Sequence, residues 1–270
     1  MSMIDTAPRF QDTKIFGLID DSRHGNIWLW RTVVAMLTGS ALLFAIQFFD
    51  PRLFNGVSVW DKPAKFFLSL AVQYGTVSWA LSQMPRVGEK LKGINWAVWL
   101  MLIAGWGEMA YMIFRASRAE ASHFNSTSLS GIIGYAMMGV GSVTLTFTAA
   151  FIGWKIWRKR SSGIWTEAAG LALMVGALLG TIAGGYMSAQ TSHWMGGVQS
   201  DANALAFFNW STTGGDLRAA HFMGLHAAQF IPLAALSGDR RVVYISTLVI
   251  AIMTGSLFAM GMMGIPLFRA

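Results

Sequence analysis

Seven stretches of this chain are apolar over the length that a helix needs to cross a lipid bilayer. An α-helix of about 20 residues spans roughly 30 Å of hydrocarbon. Of the 270 residues, 54% are hydrophobic and 12% are charged, which excludes an ordinary soluble domain. The sequence therefore predicts an all-α fold, a polytopic membrane bundle of seven transmembrane helices. The stretches are residues 27–49, 64–84, 94–115, 129–153, 166–190, 219–237 and 242–263.

The lysine and arginine residues outside these stretches predict how the bundle is oriented. Short connections that carry many positive charges stay in the cytoplasm during insertion. We therefore expect the N-terminus inside and the C-terminus outside, with 1–26 as a cytoplasmic segment and 27–270 as one seven-span domain. The expected outer loops are 50–63, 116–128 and 191–218. The basic residues on the inner side are Arg9, Lys14, Arg23, Arg86, Lys90, Lys92, Lys155, Arg158, Lys159, Arg160, Arg240 and Arg241.

Net charge and cysteine content narrow the classes of partner and cofactor. The net charge of +7 follows from the inner-side charges and from attraction to anionic lipid, so it predicts no nucleic-acid partner. The chain has no cysteine, which excludes thiolate metal sites, iron–sulfur clusters and covalently attached c-type haem. Any bound metal or cofactor must be held by nitrogen, oxygen or thioether sulfur.

Four of the five histidines fall at or near the expected outer end of the bundle, together with acidic residues. Imidazoles and carboxylates are costly near lipid, and they usually mark a pathway or a site. This concentration of ionisable groups predicts a functional site at the outer end. The residues are His123, His193, His221, His226, Glu108, Glu120 and Asp216.

Helical geometry constrains how these residues can act together. Glu108 lies about two turns inside the third stretch, where a carboxylate needs a partner, a proton or a metal ion. If the third helix continues past the membrane, Glu120 and His123 share one face, a spacing found in half of a di-iron bundle site. His221 and His226 are separated by about 140° around a helix, so each needs ligands from another helix.

Two classes of function remain open from these residues, besides an accessory membrane subunit. The first is a redox or metal-dependent membrane enzyme that binds haem b or a transition metal (Fe, Cu or Zn) and acts on a lipophilic small molecule or quinone. The second is a transporter or channel for protons, metal ions or a small solute. Membrane lipids are expected partners, and a homo-oligomer is an open alternative. The cofactor-binding candidates are His123, His221 and His226. The further metal-ligand candidates are Glu120 and His193. The catalytic candidates are Glu108, Asp216 and Arg218.

Asp216 also has a structural interpretation, because it follows two glycines at the expected start of the sixth helix and suits the N-cap position. Lys62 and Lys65 lie about one turn apart at the start of the second helix, next to Asp61, which suits a cap, and Pro63, which suits a first turn. The two lysines can contact lipid phosphates, or they can form an electropositive wall to the histidine cluster.

Gly176, Gly180 and Gly184 give the fifth helix a smooth face. Small residues at this spacing let another helix approach closely, and they could also accommodate a flat macrocycle. Both interpretations of this face remain open.

Three segments of the expected outer side have distinctive sequences. Lys62–Ser69 reads KPAKFFLS, Ser122–Asn125 reads SHFN, and Gly215–His226 reads GDLRAAHFMGLH. These strings resemble a group of uncharacterised bacterial multi-pass inner-membrane proteins, although most of the chain lies outside them. The resemblance implies a location in the bacterial inner (plasma) membrane, with the site facing the periplasm. It implies no activity.

Overall fold

The computed structural model describes residues 26–84, 93–125, 128–202 and 204–269, and these ranges contain seven α-helices. Two pairs of two-residue antiparallel strands lie in the connections: Leu53–Phe54 (β1) with Val57–Ser58 (β2), and Trp194–Met195 (β3) with Gly215–Asp216 (β4). Short 3-10 helices follow α4 at Arg160–Ser162 and α6 at Ala234–Ser237. The α-helices are α1 (Asn26–Ile46), α2 (Asp61–Ser82), α3 (Ile94–Ser117), α4 (Leu129–Trp157), α5 (Ile164–Ala189), α6 (Leu217–Leu233) and α7 (Arg240–Met262).

Six of these helices, all except α2, are long and apolar enough to cross a membrane. The helix α2 is less apolar, and it contacts α1, α3, α4 and α5. Because its neighbours shield it, α2 can carry more polar residues than a helix that faces lipid. The predicted class, a helical membrane bundle, is confirmed, and the six apolar helices fit a multi-pass membrane protein. Apart from residue 26, the expected cytoplasmic segment 1–26 lies outside the described residues, as do the basic residues of 85–92.

Helices that follow one another run in opposite directions, so the connections alternate between two ends of the bundle. At one end, Arg52 Nη1 donates to the Ser117 carbonyl at 2.6 Å, and the Asp201 amide donates to the Asn55 carbonyl at 3.0 Å. These bonds join the connections that follow α1, α3 and α5. We name this end the histidine end, because residues 118–125, 190–202 and 204–216 lie there.

The opposite end carries the connections after α2, α4 and α6. Thr166 Oγ1 donates to the Gln83 carbonyl at 2.7 Å, which joins the start of α5 to the end of α2. Glu167 is buried at this end, and we name it the Glu167 end. The largest helix contacts are those of α5 with α6, of α4 with α5 and of α1 with α2. The bundle is therefore built around α5 on one side and the α1–α2 pair on the other.

The third helix ends before Glu120 and His123, so it is shorter than a shared helical face of these two residues would require. It ends at Ser117, and Ala119 adopts a positive φ of 55° that takes the chain out of the helix. Glu120 and His123 therefore do not share a helical face, so the helical continuation considered above does not form. The reversal places the 118–125 segment across the histidine end of the bundle.

Candidate functional site

Three of the predicted histidines come together at the histidine end, although they belong to three different segments. The ring of Phe124 lies between two of them, with its centroid 6.3 Å from that of His123 and 6.1 Å from that of His193. His123 is also close enough to His221, on α6, for their charges to interact. We name His123, His193 and His221 the imidazole cluster.

Lys62 is a cation next to the imidazole cluster that forms no ion pair within the described residues. Its ammonium group lies 6.0 Å from the centroid of the Phe66 ring, and that ring lies 5.7 Å from the His123 ring. The charge of Lys62 acts on His123, His193 and Glu108. Within the described residues, the ammonium has no hydrogen-bond or ion-pair partner. Its positive charge is therefore available to a ligand.

Lys65, one turn further along α2, is in a different environment. Its ammonium donates to Asp61 Oδ2 at 2.6 Å, and the side-chain amide of Asn209 donates to the same oxygen at 2.7 Å. Asp61 therefore pairs with Lys65 and does not cap α2, whose N-cap residue is Trp60. The structure separates two lysines that the sequence presents alike, because only Lys65 has a counter-charge in contact.

Burial and positive charge keep the imidazoles of the two connecting segments neutral. Burial lowers the pKa of His123 well below its ordinary value, and the charge of Lys62 and the nearby rings of His221 and His193 lower it further. Burial and, second to it, the charge of Arg218 lower the pKa of His193 to about 3. Both rings are therefore neutral at pH 7, and each keeps a nitrogen lone pair.

Arg218 and two aspartates attach the 190–216 segment to α6. Asp216 accepts from the backbone amide of Arg218 at 3.0 Å, which confirms its predicted role as N-cap of α6. Arg218 Nη2 lies 2.6 Å from Asp216 Oδ2 and 3.0 Å from Asp201 Oδ1, and it also donates to the Asn209 carbonyl. Burial raises the pKa of Asp201, and Arg218 opposes that rise. The contacts of Asp216 and Arg218 are thus those of a structural anchor.

His221 is oriented by α5. Its Nδ1 lies 2.9 Å from the Gly180 carbonyl, which can only accept, so Nδ1 carries the proton and Nε2 keeps a lone pair. The ring also lies against Gly184, where an added Cβ would be 2.9 Å from His221 Cε1. A ring held in this way points a bare nitrogen away from the helix that supports it.

The glycine face of α5 is filled by α6. An added Cβ would lie 3.1 Å from the backbone nitrogen of Ala228 at Gly176, and 2.3 Å from Leu225 Cδ2 at Gly180. Helix packing is therefore the correct interpretation of this face, and a macrocycle has no space there.

His226 lies on another face of α6, as the five-residue separation from His221 predicts. Its Nδ1 lies 3.0 Å from Gln229 Oε1, and Gln229 Nε2 donates to Thr76 Oγ1 of α2 at 2.7 Å. His221 therefore faces α5, and His226 faces α2. The two residues do not present their rings to one ligand.

Glu108 lies below the imidazole cluster, between α3 and α4. Its Oε1 atom is buried and has no hydrogen-bond partner among the residues described. This oxygen lies against Gly141 of α4, where an added Cβ would be only 2.2 Å away. One turn later, the buried hydroxyl of Tyr111 faces Gly134 in the same manner, again without a partner in the described ranges. Two glycines of α4 thus make room for two polar groups of α3, each with an oxygen that has no hydrogen-bond partner in the described ranges.

The predicted metal-ligand set is not assembled. Across residues 26–84, 93–125, 128–202 and 204–269, no three histidine, aspartate or glutamate side chains come together to hold a metal ion. Glu120 is paired with Arg115 at 2.8 Å and with Arg118 at 3.1 Å, because the chain reverses after α3. Its carboxylate is therefore neutralised by arginines and does not face the imidazoles.

The residues that shape this site include two that sequence reasoning missed. Thr76 orients His226 through Gln229, and Gly141 receives the Glu108 carboxylate. For Gly141 a signal was present, since Gly134 and Gly141 are two helical turns apart in α4 and mark one smooth face. For Thr76 there was none, because its partner lies 153 residues away.

Comparison with known proteins does not place the chain in a family. No family model matches the chain, and no curated protein or solved structure matches it significantly. Its function must therefore be argued from the chemistry of the site.

Proposed function

We propose that this chain is a seven-span membrane protein that binds a small anionic solute at its histidine end and takes up a proton together with it, as a proton-coupled carrier does. In this proposal all seven helices cross a bacterial inner membrane, and the histidine end faces outward. The observation that carries the proposal is the unpaired Lys62 ammonium beside the neutral imidazole cluster. A cation that has no carboxylate in contact and lies beside neutral imidazoles is suited to bind an anion. The charges of Asp201, Glu108 and Arg218 act on it without contact.

The same arrangement couples anion binding to proton uptake. The positive charges near His123 and His193 oppose protonation of these rings. An anion bound at Lys62 would offset those charges and raise the pKa of both imidazoles. Because coupling of this kind is reciprocal, protonation of a ring would strengthen binding of the anion by the same factor. Anion affinity should therefore increase as the pH falls.

Glu108 offers a place for the proton deeper in the bundle. It lies within the electrostatic reach of Lys62, and its Oε1 has no hydrogen-bond partner in the described part of the chain. Carboxylates at such depth are costly, and they commonly serve proton pathways. The imidazole cluster and Glu108 would then act in sequence, with the rings nearer to the aqueous end.

The test is calorimetric titration of the purified protein with phosphate, acetate and benzoate in two buffers that differ in ionisation enthalpy. We expect at least one anion to bind with proton uptake, and Lys62→Gln to weaken its binding about tenfold, the effect of losing one charge-assisted contact. Lys65→Gln is the matched control, since its charge is already paired with Asp61, and it should leave the affinity within about twofold.

Two results would contradict the proposal. One is that none of the three anions binds with a buffer-dependent heat. The other is that Lys62→Gln and Lys65→Gln weaken binding equally, since a general loss of surface charge would then explain the effect. Folding of both variants is checked by thermal unfolding before the titrations.

A second candidate function is the redox or metal-dependent enzyme, and the orientation of His221 favours it. A histidine that binds a metal usually donates its other ring N–H to a carbonyl or carboxylate, as His221 Nδ1 does to Gly180. The iron of haem b, or a single Fe, Cu or Zn ion, could bind to Nε2. An absorption spectrum and elemental analysis of one preparation test this candidate. It is rejected if the protein shows no Soret band and no stoichiometric metal.

A further inference from the structure

We infer that a second site, formed by His226 on α6 and facing α2, binds the hydroxyl group of a lipophilic phenol or hydroquinone that enters from the membrane. The site differs from the imidazole cluster in its contacts, because His226 and His221 are hydrogen-bonded towards different neighbouring helices, although the two rings are close enough for their charges to interact. It does not depend on the proposed anion binding. The inference concerns binding alone and requires no electron transfer.

A hydrogen-bond chain with a single direction determines which nitrogen of His226 carries the proton. The Thr76 hydroxyl donates its one hydrogen to the Val72 carbonyl at 2.8 Å. It must therefore accept from the amide nitrogen of Gln229, which lies at 2.7 Å. This turns the amide oxygen of Gln229 towards His226 Nδ1, at 3.0 Å. Because that oxygen can only accept, Nδ1 donates, and the neutral ring keeps a bare Nε2.

This bare Nε2 has no hydrogen-bond partner among the residues that the structure describes. An unsatisfied acceptor away from water costs free energy. The hydrogen-bond chain therefore selects a partner that donates a hydrogen bond, since a bare imidazole nitrogen accepts and does not donate. A hydroxyl group meets this requirement, and a ketone or an ether does not.

The walls around His226 are aromatic. The centroid of the Phe222 ring lies 4.0 Å from that of His226, and the centroid of the Phe230 ring lies 6.2 Å from it on the other side. Towards the histidine end, Phe222 contacts Trp210 at 5.6 Å, and Trp210 stacks on Phe208 at 4.5 Å. A planar ring can pack against such a wall through tilted and stacked contacts.

The site opens on the outer surface of the bundle. Phe230 is 42% exposed and Phe208 is 37% exposed, and both lie next to the His226 site. In a membrane, apolar surface at this position faces the lipid chains, so the occupant arrives from the bilayer. An aromatic ring with a hydroxyl group and an apolar tail matches the acceptor, the aromatic wall and the route of entry.

The experiment measures binding of a decyl-substituted benzohydroquinone to the full chain in phosphatidylcholine nanodiscs, under anaerobic conditions. Its dimethyl ether, which has the same ring and tail and no hydroxyl donor, is the matched control ligand. We expect the hydroquinone to bind at least about tenfold more tightly than the ether, the difference that one hydrogen bond to an otherwise unpaired acceptor makes. His226→Phe, which keeps a planar ring and removes the acceptor, should abolish this difference.

A measurement on the wild-type protein guards against a misfolded variant. The ¹⁵N spectrum of labelled histidine should show His226 protonated at Nδ1 and bare at Nε2, and the Nε2 resonance should move when the hydroquinone is added. The inference is overturned if Nε2 carries the proton, or if the ether binds as tightly as the hydroquinone.

Discussion

Each end of the bundle buries a carboxylate, and the surroundings of the two differ. Glu167 is 3% exposed, and it accepts from the Tyr244 hydroxyl and pairs with Arg240 at 3.1 Å. Glu108 is 5% exposed. Its Oε1 has no hydrogen-bond partner, its carboxyl hydrogen-bonds only with Ser142, and no cation forms an ion pair with it in the described ranges. Partners that neutralise a buried acid make it a structural element, whereas a buried acid without them needs another explanation. The comparison therefore supports a structural role for Glu167 and agrees with the role proposed for Glu108.

The helices around the two carboxylates differ as well. Near the Glu167 end, an added Cβ at Gly170 would lie 2.5 Å from the backbone nitrogen of Trp157, so α4 and α5 are in backbone contact. Near Glu108, the glycine of α4 meets the end of a side chain, Glu108 Oε1. One glycine thus permits close helix packing, and the other leaves room for a carboxyl group.

The largest expected effect tests this difference between the glycines. Gly170→Ala should destabilise the protein by about 3 kcal/mol, because backbone atoms cannot move aside as a side chain can. Gly141→Ala should cost less than about 1 kcal/mol, because the Glu108 side chain can rotate. Thermal unfolding in detergent compares the two variants. Equal losses would show that Glu108 is held as rigidly as a backbone atom and would weaken the contrast.

The next largest effect is expected on the free energy of unfolding when each carboxylate is replaced by an amide. Glu167→Gln should lower the free energy of unfolding by about 2 kcal/mol, the size of a hydrogen bond to a charged group. Glu108→Gln should change it by less than about 0.5 kcal/mol, because Oε1 has no hydrogen-bond partner to lose among the described residues. Titration with a denaturing detergent measures both. If Glu108→Gln proves the more damaging change, then Glu108 has a structural partner and the functional assignment fails.

The smallest effect concerns pH and belongs to the histidine end. His123 and His193 have lowered pKa values in the folded protein, that of His193 at about 3. When the pH falls below about 6.5, the unfolded chain binds protons that the folded chain excludes, so stability should decrease. We expect a loss of about 1 kcal/mol for each of the two histidines between pH 6.5 and 5.5, which is the smallest change per residue of the three tests.

The control for this prediction is His193→Phe, which should about halve the pH dependence because His123 remains, whereas Glu167→Gln should leave its slope unchanged. Unfolding midpoints at pH 7.0, 6.5, 6.0 and 5.5 supply the comparison. A wild-type protein with constant stability over this range would mean that the imidazoles are solvated and able to accept protons in the folded state.

Features that depend on local spacing could be predicted from the sequence. The cap formed by Asp216 and the separate faces of His221 and His226 follow from residues within two helical turns of each other. For His123 and His193 the sequence predicted only a common end of the bundle, because both lie in connecting segments. Their contact with one phenylalanine, Phe124, depends on how the two segments cross.

The sequence by itself determined that this is a helical membrane bundle and that ionisable groups gather at one end, because bilayer length and helical period act locally along the chain. Only the tertiary structure decided which charges are neutralised. Asp61 accepts from Lys65 and Asn209, and Lys62 is left without a counter-charge in contact in the described part of the chain. Asn209 lies 148 residues from Asp61, and no local pattern can select a partner at such a distance.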